Sequence, residues 1–136
     1  MTTSRDEQYD DLLGVMRREP LDFIQVDYSI TDRNAANKVL PLAAERGMAV
    51  LVNLPLGRGD ALAKVKGKPL PDWAKEIDVT SFAQLFLKYV VSHPAVTVAI
   101  PGTTKVAHLE DNLGAARGRL PDPAMRRRIE TYLDTL

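Results

Sequence analysis

A chain of 136 residues with 45% apolar content has material for one domain with its own core and too little for two. Eighteen Lys and Arg balance eighteen Asp and Glu, so no net field draws the chain to nucleic acid or to an anionic membrane, and any anion binding must be local. There is no cysteine and only His93 and His108 offer imidazoles, which excludes disulfides and thiolate metal sites and leaves no metal expected. The polar start, and the lack of any run of about 18 apolar residues, speak against a signal peptide and a spanning helix; a soluble cytoplasmic protein is expected.

Ser4 followed three residues later by Glu7 has the capping-box pattern. Tyr9, Leu12, Leu13 and Met16 then recur at helical spacing until Glu19-Pro20 stops the run. Residues 21–29 (LDFIQVDYS) read as a buried strand with two polar interruptions, Gln25 and Asp27. Asp32 is placed to cap a helix whose Ala35, Ala36, Val39, Leu40 and Ala43 share a face, with Gly47 as its left-handed stop and Pro41 as a blemish. Residues 48–54 (MAVLVNL) read as a second strand ended by Pro55.

From Leu56 to about Asp78 the chain is rich in Lys, Gly and Pro, and a long surface loop is expected there, of the kind that serves as a lid or a linker. Thr80 is placed to cap an apolar helix (Phe82, Leu85, Phe86, Tyr89, Val90) ended at Pro94. A third strand follows and breaks at Pro101-Gly102 into Thr103-Thr104-Lys105, ahead of a helix from Lys105 to about Ala116. Asp122-Pro123, a capping residue with proline at the first helical position, opens the last helix.

A strand that hands over to a helix at Pro-Gly is suited to hold an anion, because the helix presents unpaired N–H groups and its positive dipole end. Thr103, Thr104 and Lys105 add two hydroxyls and a cation. An ordinary cap, with Thr104 on a helix starting near Lys105, accounts for the same residues equally well.

The element order predicts a parallel α/β fold with right-handed crossovers, its strands near residues 22–28, 49–54 and 96–101. Ile24, Val26, Tyr28, Val50, Val52, Val96, Val98 and Ile100 share one parity, uniformly apolar and suited to lie under helices. Phe23, Gln25, Asp27, Ala49, Leu51, Asn53, Thr97 and Ala99 make a mixed second face, as the interior and mouth of a (β/α)8 barrel do. The expectation is a single domain over residues 1–136: a partial, half (β/α)8 barrel of about three parallel strands with helices on one face.

The segment Phe23-Ile24-Gln25-Val26-Asp27-Tyr28-Ser29, the turn Leu54-Pro55-Leu56-Gly57-Arg58-Gly59, and Ile100-Pro101-Gly102-Thr103-Thr104-Lys105 with His108-Leu109-Glu110-Asp111-Asn112 together resemble the carboxy-terminal half of the aldo-keto reductases, NADP(H)-dependent oxidoreductases on a (β/α)8 barrel. The resemblance implies that Gln25 holds the nicotinamide carboxamide and that the turn from Leu54 through Leu56, Gly57 and Arg58 runs along the pyrophosphate. By the same resemblance Thr103, Thr104 and Lys105 grip the ribose 2′-phosphate, and Asp111 and Asn112 read the adenine. His108 replaces an arginine that many members set against the 2′-phosphate, and Asn53 replaces an aromatic ring stacked on the nicotinamide. Binding of NADP(H) is therefore expected to be weak or vestigial.

The family's catalytic tyrosine, aspartate, lysine and histidine belong to its first four strands, which this chain is expected to lack, so no catalytic residue is expected here. Tyr9, Tyr28, Tyr89 and Tyr132 sit in apolar runs and read as structural, and His93, ahead of a proline, reads as capping or solvated. Asp27 with Lys38 or Arg33 is conceivable as an acid–base pair, with nothing in the spacing to fix it. Three roles fit: an inactive piece of a reductase, a stand-alone nucleotide- or anion-binding protein, or a self-assembling module. The open strand edges of a half-barrel predict a homo-oligomer.

Overall fold

The computed structural model describes residues 2–3 and 5–136; Ser4, and with it the capping-box reading, lies outside the described residues. After a 3-10 turn at Asp6–Gln8, helix α1 spans Tyr9–Arg18 and buries Leu12, Leu13 and Met16, the residues that its periodicity singles out. Strand β1 is Phe23–Asp27, helix α2 Ala35–Glu45 and strand β2 Ala49–Asn53. Asp32 does not cap α2 as expected: the N-cap is Asn34, with no side-chain cap bond, and Asp32 instead accepts from Asn34 N–H at 3.3 Å in the turn before it. Helix α2 ends as its glycine requires: Gly47 takes φ +66, its N–H reaches Ala44 O at 3.2 Å, and Met48 N–H reaches Ala43 O at 2.9 Å.

The stretch expected to be a long loop is instead built. It holds a 3-10 turn at Gly57–Gly59, a short helix α3 at Asp60–Lys64 and a 3-10 segment at Asp72–Ile77. Ala61, Val65, Ala74 and Ile77 are buried. Apolar residues scattered among lysines and prolines were enough to dock the segment, although they carry no regular period.

Helix α4, Phe82–Val91, is capped by Ser81 and not by Thr80: Ser81 Oγ accepts from Gln84 N–H at 3.1 Å. Strand β3 is only Val98–Ala99, shorter than the expected 96–101; Pro101, which has no N–H, cannot extend its carboxyl end. Helix α5 is Val106–Gly114, and α6 is Pro123–Asp134, whose N-cap Asp122 accepts from Met125 N–H at 2.7 Å.

The sheet is parallel in the order β1-β2-β3. Ile24 and Val26 register with Val50 and Val52, and all four are fully buried under the helices. In β3 the expected parity is reversed: Val98 pairs with Leu51, so Val98 and Ile100 stand on the open face, 44% and 46% exposed, while Ala99 packs against the core. Phe23 is 51% exposed on that face. Thr3 N–H bonds Gln25 O at 3.0 Å, so residues 2–3 occupy part of the outer edge of β1. The architecture is thus a three-stranded open segment of a (β/α)8 barrel with helices on one side.

Candidate functional site

The carboxyl ends of β2 and β3 open into a cleft of about 930 Å³, walled by Asn53, Leu54, Leu56 and Arg58 on one side and by Thr103, His108, Asp111 and Asn112 on the other. Segments some fifty residues apart in sequence meet there because parallel strands deliver their following turns to the same end of the sheet. The cleft therefore gathers eight of the twelve expected site residues. Gln25 is half-buried in mid-strand on the open face, registered with Leu51. Gly57 lines a neighbouring hollow with Asp27, Ser29 and Thr31. Thr104 and Lys105 do not line the cleft; Lys105 is the exposed N-cap of α5, its N–H reaching Thr103 Oγ1 at 3.2 Å.

The turn after β2 is conformationally unusual. Leu54 and Arg58 adopt φ +53 and +55, a left-handed backbone that costs a side-chain-bearing residue about 1–2 kcal/mol. Such conformations persist where surrounding structure holds them and cluster at ligand sites. Gly57 cannot be larger: a Cβ there would lie 2.3 Å from Thr31 Oγ1. Gly57 N–H closes the turn onto Leu54 O at 2.8 Å, and Gly59 N–H onto Leu56 O at 3.0 Å.

The cleft is locally basic although the chain is neutral overall. Arg58, Lys68 and His108 line it, against the carboxylate of Asp111. Both oxygens of Asp111 are engaged, accepting from Ser81 Oγ at 2.7 Å and from Gln84 Nε2 at 2.8 Å. Among the described residues, Asn53 Oδ1 is the buried side-chain polar atom without a hydrogen-bond partner. Sequence reasoning missed Lys68, Ser81 and Gln84. Ser81 and Gln84 had a readable signal, since S-x-x-Q ahead of an apolar run is a capping-box pattern; Lys68 had none.

Titratable groups elsewhere are committed to structure. Tyr9 Oη donates to Asp27 Oδ1 at 3.3 Å, and burial with the nearby carboxylates holds its phenol far above the ordinary range. Tyr28 Oη donates to Tyr89 Oη at 3.2 Å, and Tyr89 Oη to Glu130 Oε1 at 2.6 Å; burial and these bonds raise Tyr89 likewise. Tyr132 packs against Trp73 and Phe82. Burial raises the Asp27 carboxyl, and carboxylate oxygens of Asp6, Asp27 and Asp32 lie within 4.8 Å of one another. Arg33 pairs with Asp134, so it is not the partner of Asp27. His93 is half-buried and engaged: its ring meets Tyr28 edge-on at 5.6 Å, and Nδ1 caps the turn by accepting from Ala95 N–H at 3.2 Å. No helix among the described residues is long and apolar enough to cross a membrane.

Comparison with known proteins agrees with this architecture. The chain is 36% identical over 107 residues to an uncharacterized oxidoreductase of Schizosaccharomyces pombe, covering 79% of this chain and 34% of that protein. It is 27% identical over 138 residues to a probable aldo-keto reductase of Glycine max, covering 82% of this chain and 40% of the relative. The chain thus spans about a third to two fifths of the length of these relatives. An aldo-keto reductase from Bacillus halodurans in its apo form superposes with a TM-score of 0.70 at 20% identity, covering 97% of this chain and 49% of that one. One from Klebsiella pneumoniae, solved with NADP and acetate, gives 0.70 at 23%, covering 95% and 46%. The family model for aldo/keto reductases matches residues 7–131, and the chain belongs to that family.

Proposed function

We propose that this chain is the dinucleotide-holding half of an aldo-keto reductase barrel and binds NADP(H) in the cleft beyond β2 and β3. The observation that carries the reading is the convergence of the Leu54–Arg58 turn with Thr103, His108, Asp111 and Asn112 in one basic cleft. The residues suit the group in size and chemistry. A cleft of about 930 Å³ lies at the upper end of ligand sites, its cations face a ligand with three phosphates, and the orphaned Asn53 Oδ1 asks for an amide donor. The NADP-bound relative from Klebsiella pneumoniae supports the same cofactor class.

In this reading Leu54, Leu56, Gly57 and Arg58 hold the pyrophosphate, Gln25 and Asn53 face the nicotinamide end, and Thr103, Thr104, Lys105 and His108 meet the 2′-phosphate. The bound cofactor supplies a hydride for an aldehyde or ketone carbon. The carbonyl oxygen also needs an acid within hydrogen-bond reach, a contribution of about 10²–10⁴-fold. Among the described residues no tyrosine lines the cleft, and Tyr9 and Tyr89 are held protonated and hydrogen-bonded elsewhere. The chain alone is therefore a binder and not a carbonyl reductase, with weaker preference for NADPH over NADH than an arginine at position 108 would give.

Fluorescence titration with NADPH tests the reading. Thr103→Ala and Lys105→Ala weaken binding by the loss of a contact to a charged group, about 1.5–3 kcal/mol when well formed; curves identical to wild type overturn the assignment. NADPH consumption by the pure chain with a panel of aldehydes overturns the non-catalytic half. The exposed Phe23, Val98 and Ile100 on the open sheet face favour self-association through that face or the strand edges; a monodisperse monomer in light scattering at micromolar concentration removes that inference.

A further inference from the structure

Asp111 lines the same cleft as Asn112, yet each of its carboxylate oxygens already accepts a hydrogen bond, from Ser81 Oγ at 2.7 Å and from Gln84 Nε2 at 2.8 Å. The donors are themselves fixed. Ser81 Oγ also accepts from Gln84 N–H at 3.1 Å, and Gln84 Oε1 accepts from Thr80 N–H at 2.9 Å and from Thr80 Oγ1 at 3.2 Å. Gln84 is buried, 7% exposed. Its amide lies across α5 at Asp111 and Gly114, residues three apart and so on one side of the helix. A Cβ at Gly114 would come within 2.5 Å of Gln84 Nε2.

Helix α5 buries none of its residues, and Val106, Leu109 and Leu113 are 70%, 48% and 56% exposed. Apolar packing therefore does little to locate it. Bonds to a carboxylate are about twice as strong as neutral ones and directional, so they set the rotation and height of a helix, which burial alone leaves loose. Rotation decides what the cleft sees: a slip of one residue swings each side chain by about 100° about the axis. His108 and Asn112, four residues apart and so on one side of α5, both line the cleft.

Resting on the dinucleotide reading above, we infer that Asp111 is a positioning residue, clasped by Ser81 and Gln84 so that α5 presents His108 and Asn112 to the ligand. Reading of the base falls to Asn112, not to the Asp111 carboxylate. Exchanging the two clasp groups tests this. Gln84→Glu sets carboxylate against carboxylate and breaks the clasp. The double variant Q84E/D111N restores it with the charge on the other side, since the carboxylate introduced at position 84 accepts from the amide introduced at position 111 and from Thr80.

Amide hydrogen exchange across residues 106–114 is expected to quicken about tenfold in Q84E, the loss of one bond to a charged group, and to return to the wild-type rate in the double variant. The Kd for NADPH is expected to follow the same pattern, about tenfold weaker and then recovered to within about twofold. Preference for NADPH over its hypoxanthine analogue, which lacks the 6-amino donor, is expected to survive in D111N and in the double variant. Unchanged exchange in Q84E, or no recovery in the double variant, overturns the clasp; loss of the adenine preference in D111N overturns the assignment of base reading to Asn112. A wild-type chain that binds neither dinucleotide overturns the ligand reading and the role of Asn112 with it, while the exchange measurement still decides the clasp.

Discussion

Helices α4 and α5 are neighbours of nearly equal length, Phe82–Val91 and Val106–Gly114, and they are held by opposite means. In α4 Gln84, Leu85, Phe86, Leu87, Lys88, Tyr89 and Val90 are all buried, whereas α5 buries nothing of its own. The first is fixed by area removed from water, the second by a polar clasp and by a side chain lying over Gly114. Of the two, the helix that brings His108 and Asn112 to the cleft is thus the one with less apolar anchorage.

The contrast is sharpest in truncation. Phe86→Ala is expected to lower stability by about 3–5 kcal/mol, since a fully buried aromatic leaves a cavity, while Leu109→Ala, 48% exposed, stays within about 0.5 kcal/mol; urea unfolding of both measures the gap. Lys88→Met comes next. The ammonium donates to Ile77 O at 2.6 Å, Arg117 O at 2.5 Å and Arg119 O at 2.9 Å, so its loss leaves carbonyls without their donor and costs about 1–3 kcal/mol. A stability equal to wild type would show that the thioether packs as well as the ammonium bonds.

Ser81→Ala couples the two helices, removing the cap of α4 together with one bond to Asp111. It is expected to cost about 1 kcal/mol globally and to loosen α5 more than α4 in hydrogen exchange. The smallest effect is one of pH. Burial and the Arg126 guanidinium hold His93 below its ordinary pKa of 6.5, so the unfolded chain takes up the proton first. This contribution is complete above about pH 6.5 and is lost as pH falls through and below it. Urea midpoints between pH 7.5 and 5.5 should decline more steeply in wild type than in His93→Phe; parallel curves would remove His93 from the account.

What was legible in the sequence followed from how the sheet is built. β1 and β2 carry a single buried parity, Ile24 and Val26 with Val50 and Val52, and their period could be read directly. β3 offered apolar residues on both parities, and its register depends on Thr97 N–H and Ile100 N–H meeting Val50 O and Val52 O at 3.0 and 2.8 Å, a contact across nearly fifty residues that no local pattern reveals. The cleft was legible through its turns, because Pro-Gly and the Leu54–Gly59 glycines mark tight turns at the strand ends. Lys68 was not, since its place depends on how an aperiodic segment docks; and although S-x-x-Q marks Ser81 and Gln84 as a cap, their bonds to Asp111 depend on how two helices dock.

The three carbonyls around Lys88 also make it chemically silent. Its ammonium is fully enclosed, and burial lowers the affinity for its proton, but a free amine would still have to leave the shell before it could attack anything. An amine-reactive ester should label Lys38, Lys64, Lys66, Lys68, Lys75 and Lys105 in the folded chain and spare Lys88. Acylation at that one position then becomes a clock for opening of the α4 body, readable by mass without any probe attached.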